Sequence, residues 1–337
     1  MSIRSIFTDY AIDAKYSDII PQIQTMVSRL LHGQLPYQII HFQNYDLFPT
    51  YQPLQWLPFT LAEWGHFDYR WIALAIWLLA VGVFVWKAVK IGHPMVYLQT
   101  ALPFLFFIFI KAKEPTLFAW TMEIMIAGYY LLLALSISSR SIYIIAGGII
   151  LCLLSRYSLV FWLPLYFLVL LFSWNRQRTL MAAGLVLIGV LLIYVLPFLS
   201  QDAGIFIKGY QYHTGAALGE WQHYDGGTKP HHLFQGIGFA CYFFDFAPGN
   251  LEQKLSLLKM VHLALSGSVV ILLGLLYFFK LRTYLEPRRF LLASLNIYLV
   301  VFYSFIQIPY QYLMIVPLFA SLPLLLPPAQ LATAAAD

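Results

Sequence analysis

From residue 71 to residue 327 the chain is a succession of apolar runs broken by short polar or basic segments. Runs of near-spanning length fall at 71–89, 94–110, 115–136, 141–155, 157–173, 179–198, 256–279, 290–306 and 312–327. A bilayer core is crossed by about 20 helical residues, so the shorter runs predict tilted or half-length helices. The runs are continuously apolar, whereas barrel strands alternate over about ten residues, which excludes a transmembrane β-barrel. The pattern therefore predicts an all-α, polytopic membrane protein with about nine transmembrane helices and further helices and loops on its outer face.

Residues 1–70 carry a different pattern. From Ser17 the chain reads SDIIPQIQTMVSRLLHG, in which Ile19, Ile20, Ile23, Met26, Val27, Leu30 and Leu31 form one apolar face at helical spacing. Gln22, Gln24, Ser28 and Arg29 oppose them, Pro21 is tolerated in a first turn, and Gly33 suits a left-handed C-cap. Too polar to span, such a helix is expected to lie flat in the membrane interface. The following LPYQIIHFQNYDLFPTYQPLQWLPF is interrupted by Pro49, Pro53 and Pro58, so it is expected to be an ordered loop at headgroup level.

Composition narrows the class. Of 337 residues, 61% are hydrophobic and only 10% charged, with a mean hydropathy of +0.73. A soluble domain carries about a quarter charged residues, so a soluble globular protein is excluded, and disorder and collagen-like repeats with it. A net charge of +5 then belongs to loops beside lipid headgroups, and no nucleic acid is implied. Cys152 in an apolar run and Cys241 in a long loop form neither a disulfide framework nor a metal signature.

Charge also orients the chain. Lys87, Lys90, Arg140, Arg176, Arg178, Lys280, Arg282, Arg288 and Arg289 fall in one set of loops, against Lys111, Lys113 and Arg156 in the opposite short loops. The first set is expected to be cytoplasmic, in a multi-pass plasma (inner) membrane protein whose active site faces outside, in the periplasm. A single domain follows, with an outer acidic segment 1–70, helices over 71–198, an outer loop 199–255 and helices over 256–327. Residues 1–70 have no hydrophobic segment ahead of them to start translocation, which suggests that an earlier transmembrane helix precedes this chain.

Two ionisable residues stand inside apolar sequence, Glu123 in WTMEIMIAGYY and Arg156 in CLLSRYSLVFWLP. A charge at a helix centre costs about 2.5–3.5 kcal/mol or more, so each is expected to face a cavity or a partner. Plainer readings pair Glu123 with Lys111 or Lys113 and let Arg156 snorkel to the headgroups. The 199–255 loop holds His213, His223, Asp225, His231 and His232 without helical H-x-x-x-H spacing, which favours solvated or substrate-contacting residues over a metal site.

YSDIIPQIQTMVSRLLHGQLPY followed by FPTYQPLQWLPF resembles the GT-C superfamily of integral-membrane glycosyltransferases. The matching residues are Asp18, then Gly33, Pro36 and Tyr37, then Tyr51, Pro53 and Leu54. LSRYSLVFWLPL, with Arg156 and Pro164, is similar to that family's basic residue before a lipid-facing run, and IPYQYLMIVPL, with Tyr310, Tyr312 and Pro317, to its final outer loop and terminal helix. Two departures are the missing first helix and the nearby Asp9 and Asp13, which compete with Asp18 for the acidic position.

The resemblance implies an inverting, mannosyltransferase-like enzyme that takes sugar from a polyprenyl-phosphate donor to a lipid, glycan or protein acceptor. It implies Asp18 as general base, Arg156 with Tyr310 and Tyr312 on the donor phosphate, and Asp13, Tyr37, Tyr51, Glu123 and His223 around the substrates. Trp64, Trp120 and Trp162 become candidates for sugar stacking, and the lipid tail is expected along residues 141–173. The leaving group is already a phosphate anion, so no cofactor and no divalent metal are required. The plain alternative for Asp18 is an N-cap, and those for the whole chain are a flippase or transporter of lipid-linked saccharides and an O-antigen-type polymerase or ligase.

Overall fold

The computed structural model describes residues 2–42, 45–92, 94–224 and 226–327. Asp225, one of the loop residues named above, lies outside the described residues. Among those described, the regular structure is helical apart from a short antiparallel hairpin that pairs Ile40 with Leu47 and His41 with Asp46.

Of the nine apolar runs, four become helices long and apolar enough to cross a membrane: Arg70–Ile91, Val96–Lys113, Arg176–Leu199 and Leu251–Leu281. The others give shorter apolar helices, Glu123–Ile137, Ile142–Leu153, Leu163–Ser173 and Gln311–Leu325, together with Pro287–Ser304. Local chemistry explains the shortening. The 115–136 run breaks where Thr121 adopts an extended backbone (φ −127°, ψ 167°), separating Pro115–Trp120 from Glu123–Ile137. The 157–173 run divides into a turn at Tyr157–Leu159 and a helix that restarts with Pro164 in its first turn. In Arg176–Leu199 the helix survives an interior Pro197 by widening, so that Ser200 N–H reaches back to Val195 O at 2.8 Å.

Glu123–Ile137 is the central helix, buried on nearly every side. Its neighbours approach through glycine. A Cβ on Gly128 would stand 3.1 Å from Trp77 Cα of Arg70–Ile91, and one on Gly148 of Ile142–Leu153 would stand 3.2 Å from Leu133 Cα. Close backbone contact of this kind drives helix association where no water is available to do so.

The amphipathic helix forms as expected, over Ile19–Leu31. Gly33 (φ +70°) ends it in a Schellman motif, with Gly33 N–H on Leu30 O at 3.0 Å and Gln34 N–H on Arg29 O at 2.8 Å. Its apolar face is covered by protein, which corrects the expectation of a face left for lipid. Ile20, Ile23, Met26 and Val27 pack into the main core with Trp56 and Phe59. Gln22, expected on the polar face, is buried too. The aromatic–proline segment folds back over this helix as short helical turns from Pro53 to Gly65, bringing the prolines to turn starts where their missing N–H costs nothing.

The helix ends fall into two sets. At one, Lys87 Nζ donates to Leu135 O at 3.0 Å, Arg282 to Phe172 O at 3.4 Å and Arg289 to Leu326 O at 3.2 Å. At the other, the N-terminal segment and residues 199–255 cover the bundle, and the expected loop 199–255 is largely helical, with Ile205–Trp221, His231–Gln235 and Ala240–Phe246. Leu54 N–H bonds Leu154 O at 2.8 Å, Tyr129 Oη bonds Leu54 O at 3.1 Å, and Trp221 Nε1 bonds Gln307 O at 2.9 Å.

Candidate functional site

Asp18 precedes the Ile19–Leu31 helix, yet its side chain makes no capping hydrogen bond. Its backbone is already helical (φ −83°, ψ −8°), whereas a capping residue holds an extended backbone that turns its side chain onto the first amides. The capping alternative is therefore not realised. The carboxylate instead accepts from Tyr45 Oη at 3.1 Å, across the hairpin. Burial raises the Asp18 pKa above the ordinary aspartate value, the Tyr45 hydroxyl and its own backbone pull it down, and the nearby Glu220 carboxylate raises it further.

Arg156 follows the Ile142–Leu153 helix in an extended conformation, and its guanidinium pairs with Glu123. Glu123 is 3% exposed. The two charges found inside apolar sequence thus answer one another, which displaces both the pairing of Glu123 with Lys111 or Lys113 and the snorkelling of Arg156. The pair is incompletely satisfied. Among the described residues Glu123 Oε2 and Arg156 Nε are buried without a hydrogen-bond partner, a costly state for a charged group inside protein.

Tyrosines join the two halves. Tyr51 lies within electrostatic reach of Asp18, Arg156, Glu123 and Tyr310, and Tyr312 within reach of Tyr310, Glu123, Tyr51 and Arg156. The rings of Tyr310 and Tyr312 stack at 5.0 Å, with His232 edge-on to Tyr310 at 5.1 Å and its Nδ1 2.5 Å from Glu220 Oε2. Asp18, Tyr51, Arg156, Tyr310 and Tyr312 are each half-buried, so the cluster keeps partial access to solvent. His213 faces the same region, its imidazole pKa lowered by burial and by the Arg156 and Lys259 cations.

Six residues singled out from sequence therefore come together: Asp18, Tyr51, Glu123, Arg156, Tyr310 and Tyr312. The rest are placed around them. Tyr37 is buried and donates to Tyr51 O at 2.9 Å while accepting from Trp56 Nε1 at 3.2 Å, so it supports Tyr51 from behind. Asp13 serves its own turn, its carboxylate accepting from Lys15 N–H at 2.9 Å. His223 donates its backbone N–H to Glu220 O at 3.3 Å, beside the Glu220–His232 contact. Among the tryptophans, Trp162 is wholly buried with its indole N–H on Ser294 Oγ at 3.0 Å, a core role that corrects its reading as a sugar platform. Trp120 already carries Tyr16 stacked parallel at 5.4 Å, and Trp64 is 71% exposed.

Sequence reasoning missed Tyr45, Glu220 and Lys259. Lys259 lies in the Leu251–Leu281 helix, with Nζ on Thr214 Oγ1 at 3.0 Å and 4.5 Å from the Tyr210 ring. The criterion that singled out Glu123, an ionisable side chain in an apolar run, applies equally to Lys259. Glu220 is the lone acid of the Ile205–Trp221 helix, but no local signal points Tyr45 at Asp18. Among the described residues no group of three or more His, Cys, Asp or Glu side chains is placed to hold a metal ion. Compared with known protein families, curated proteins and solved structures, the chain matches none.

Proposed function

We propose that the chain is an integral-membrane, inverting glycosyltransferase that moves a sugar from a polyprenyl-phosphate donor to an acceptor hydroxyl. The observation that carries this reading is that a non-capping carboxylate, Asp18, and Arg156, whose Nε–H has no partner among the described residues, both lie within electrostatic reach of Tyr51. Asp18 takes the proton of the acceptor hydroxyl as that oxygen attacks the anomeric carbon from the face opposite the phosphate. The bond between the anomeric carbon and the phosphate oxygen breaks, and its electron pair leaves with the phosphate. Arg156 and the hydroxyls of Tyr310 and Tyr312 receive that charge through hydrogen bonds, with Glu123 holding the guanidinium in place. A raised pKa makes Asp18 a stronger base, and one carboxylate suffices because the leaving group needs no proton. The step needs neither cofactor nor metal.

In this reading all nine apolar runs cross the bilayer, some through short helices. The end where Lys87, Arg282 and Arg289 meet helix carbonyls faces the cytoplasm, and the cluster of Asp18 and Arg156 faces the periplasm. The isoprenoid tail lies against the outward Tyr157, Val160, Phe161 and Leu168, near the entrance to Arg156. The acceptor is a lipid, a glycan or a protein bearing a hydroxyl.

The test is transfer from a panel of radiolabelled polyprenyl-phosphate sugars by the protein in liposomes, with a crude membrane acceptor fraction and Asp18→Asn alongside. Transfer by the wild type that is lost in a stable Asp18→Asn establishes the enzyme and its base. No transfer from any donor, together with movement of labelled lipid between leaflets, overturns the enzyme in favour of a transporter.

A further inference from the structure

Arg70 begins the long Arg70–Ile91 helix and is 4% exposed. Every N–H of its guanidinium is taken up by protein. Nε reaches Asp68 Oδ1 at 2.9 Å, Nη1 reaches Tyr10 O at 2.9 Å and Ala119 O at 3.3 Å, and Nη2 reaches Phe7 O at 2.7 Å and Asp68 Oδ2 at 2.5 Å. The Phe7 ring lies 4.6 Å below it. No donor remains for a headgroup or a substrate, so this cation acts on the chain alone. What it joins are the carbonyls of residues 7 and 10 and the turn at residue 119.

That turn holds the next residues as well. Tyr10 meets Trp120 edge-on at 5.5 Å, Tyr16 stacks on it at 5.4 Å, and Ser17 Oγ donates to Trp120 O at 3.0 Å. Asp18 comes next along the chain. On the other side of the turn, Thr121 Oγ1 donates to Leu117 O at 2.7 Å and accepts from Glu123 N–H at 3.3 Å, and Glu123 holds Arg156. One turn, residues 119–123, therefore stands between the segment that carries the base and the side chain that holds the phosphate-binding arginine.

We propose that Arg70 and Trp120 are positioning residues that set the distance between Asp18 and Arg156. The proposal rests on the transferase reading, because the distance matters only if a proton leaves one reactant while charge develops on the other. A misplacement of about 1 Å in such a pair costs about 10²-fold in rate. Neither residue touches substrate. Lysine at position 70 keeps the charge but cannot bridge three carbonyls and a carboxylate at once, whereas phenylalanine at position 120 keeps the platform for Tyr16.

The experiment uses the full chain in liposomes, with Arg70→Lys, Trp120→Ala, Trp120→Phe and Tyr16→Ala. Tyr16 is 61% exposed, so its truncation leaves the core intact. Two quantities are read, transfer kinetics against the donor and hydrogen exchange of the amides at residues 11–17. Expected are a fall in kcat of about tenfold or more in Trp120→Ala and Arg70→Lys, a donor KM within about twofold of wild type, and faster exchange at 11–17 with residues 20–30 still protected. Tyr16→Ala follows in the same direction and Trp120→Phe restores most of the rate. Faster exchange with unchanged kcat overturns the positioning role and leaves a structural clasp, and unchanged exchange overturns the clasp itself. Wild-type protein that transfers from no donor defeats the transferase reading, and the positioning role falls with it, while the exchange arm still reports whether the clasp exists.

Discussion

The two ends of the bundle use charge in opposite ways. At the basic end, Lys87, Arg282 and Arg289 each find a main-chain carbonyl, and Arg288 lies 6.0 Å from the Trp174 ring. These cations answer the partial negative charge of helix C-termini. At the end that holds Asp18 and Arg156, charges answer charges across the fold and stop short of full satisfaction. Glu123 pairs with Arg156 while, among the described residues, one oxygen and one N–H stay buried and unpartnered, and the half-buried Asp18 carboxylate accepts from the Tyr45 phenol. Satisfied charges stabilise an end. Unsatisfied ones cost stability, and in the proposed transferase the donor phosphate would complete the bonding around Arg156.

The sharpest way to break this contrast is Asp18→Asn. Loss of a general base is expected to lower transfer by about 10²–10⁴-fold, measured as initial rate. Thermal stability should hold or rise. A carboxyl whose pKa is raised on folding binds protons more readily in the native state, so its stabilising contribution is present at low pH and is lost as pH rises through the raised value. Replacing it with a neutral amide removes that penalty at neutral pH. An N-cap would behave in the reverse sense, costing about 1 kcal/mol on removal.

Glu123→Ala is expected to be the most destabilising single change in this cluster. It strands the Arg156 charge among buried groups, and breaking a buried ion pair costs about 3–5 kcal/mol. Unfolding in mild denaturant reads it out, and a drop within the range of surface changes would mean that Arg156 finds water instead. Gly128→Ala tests the frame that holds the pair. With Trp77 Cα 3.1 Å from the new methyl group, overpacking is expected to cost about 1–3 kcal/mol.

A finer test is the pH dependence of transfer. As the base of the proposed transferase Asp18 acts ionised, so activity is expected to fall on the acid side at a pH above the ordinary aspartate value of about 3.9. Tyr45→Phe removes a hydrogen bond that favours the charged form, and the acid limb should move to still higher pH. A limb that stays in place would show that Tyr45 does not tune the base. The smallest effect belongs to the opposite end, where Lys87→Met is expected to cost about 0.3–1 kcal/mol and to leave transfer unchanged. A large loss of rate there would dissolve the distinction between the two ends.

Much of this fold was legible because it is local. Apolar runs, the spacing from Ile19 to Leu31, and Gly33 as a left-handed stop each depend on residues within a few turns of one another. The runs that shortened did so at a proline or at the extended Thr121, whose side chain turns back to Leu117 O. Trp162 read as a candidate for sugar stacking because its partner, Ser294, lies 132 residues away. Tyr45 was invisible for the same reason, standing 27 residues from the carboxylate it meets.

Composition and periodicity by themselves determined a helical, apolar chain with a basic set of loops and an acidic, aromatic set, because solvation and helix geometry act residue by residue. They also showed that Glu123 and Arg156 need company, since neither charge is stable alone in apolar surroundings. Only the tertiary structure decided that each is the other's partner, that Ile19–Leu31 buries its face in protein, and that Asp18 turns away from the helix it precedes. Those outcomes depend on where distant segments dock. Arg70 shows why: its guanidinium joins carbonyls at residues 7, 10 and 119, positions that no local pattern relates.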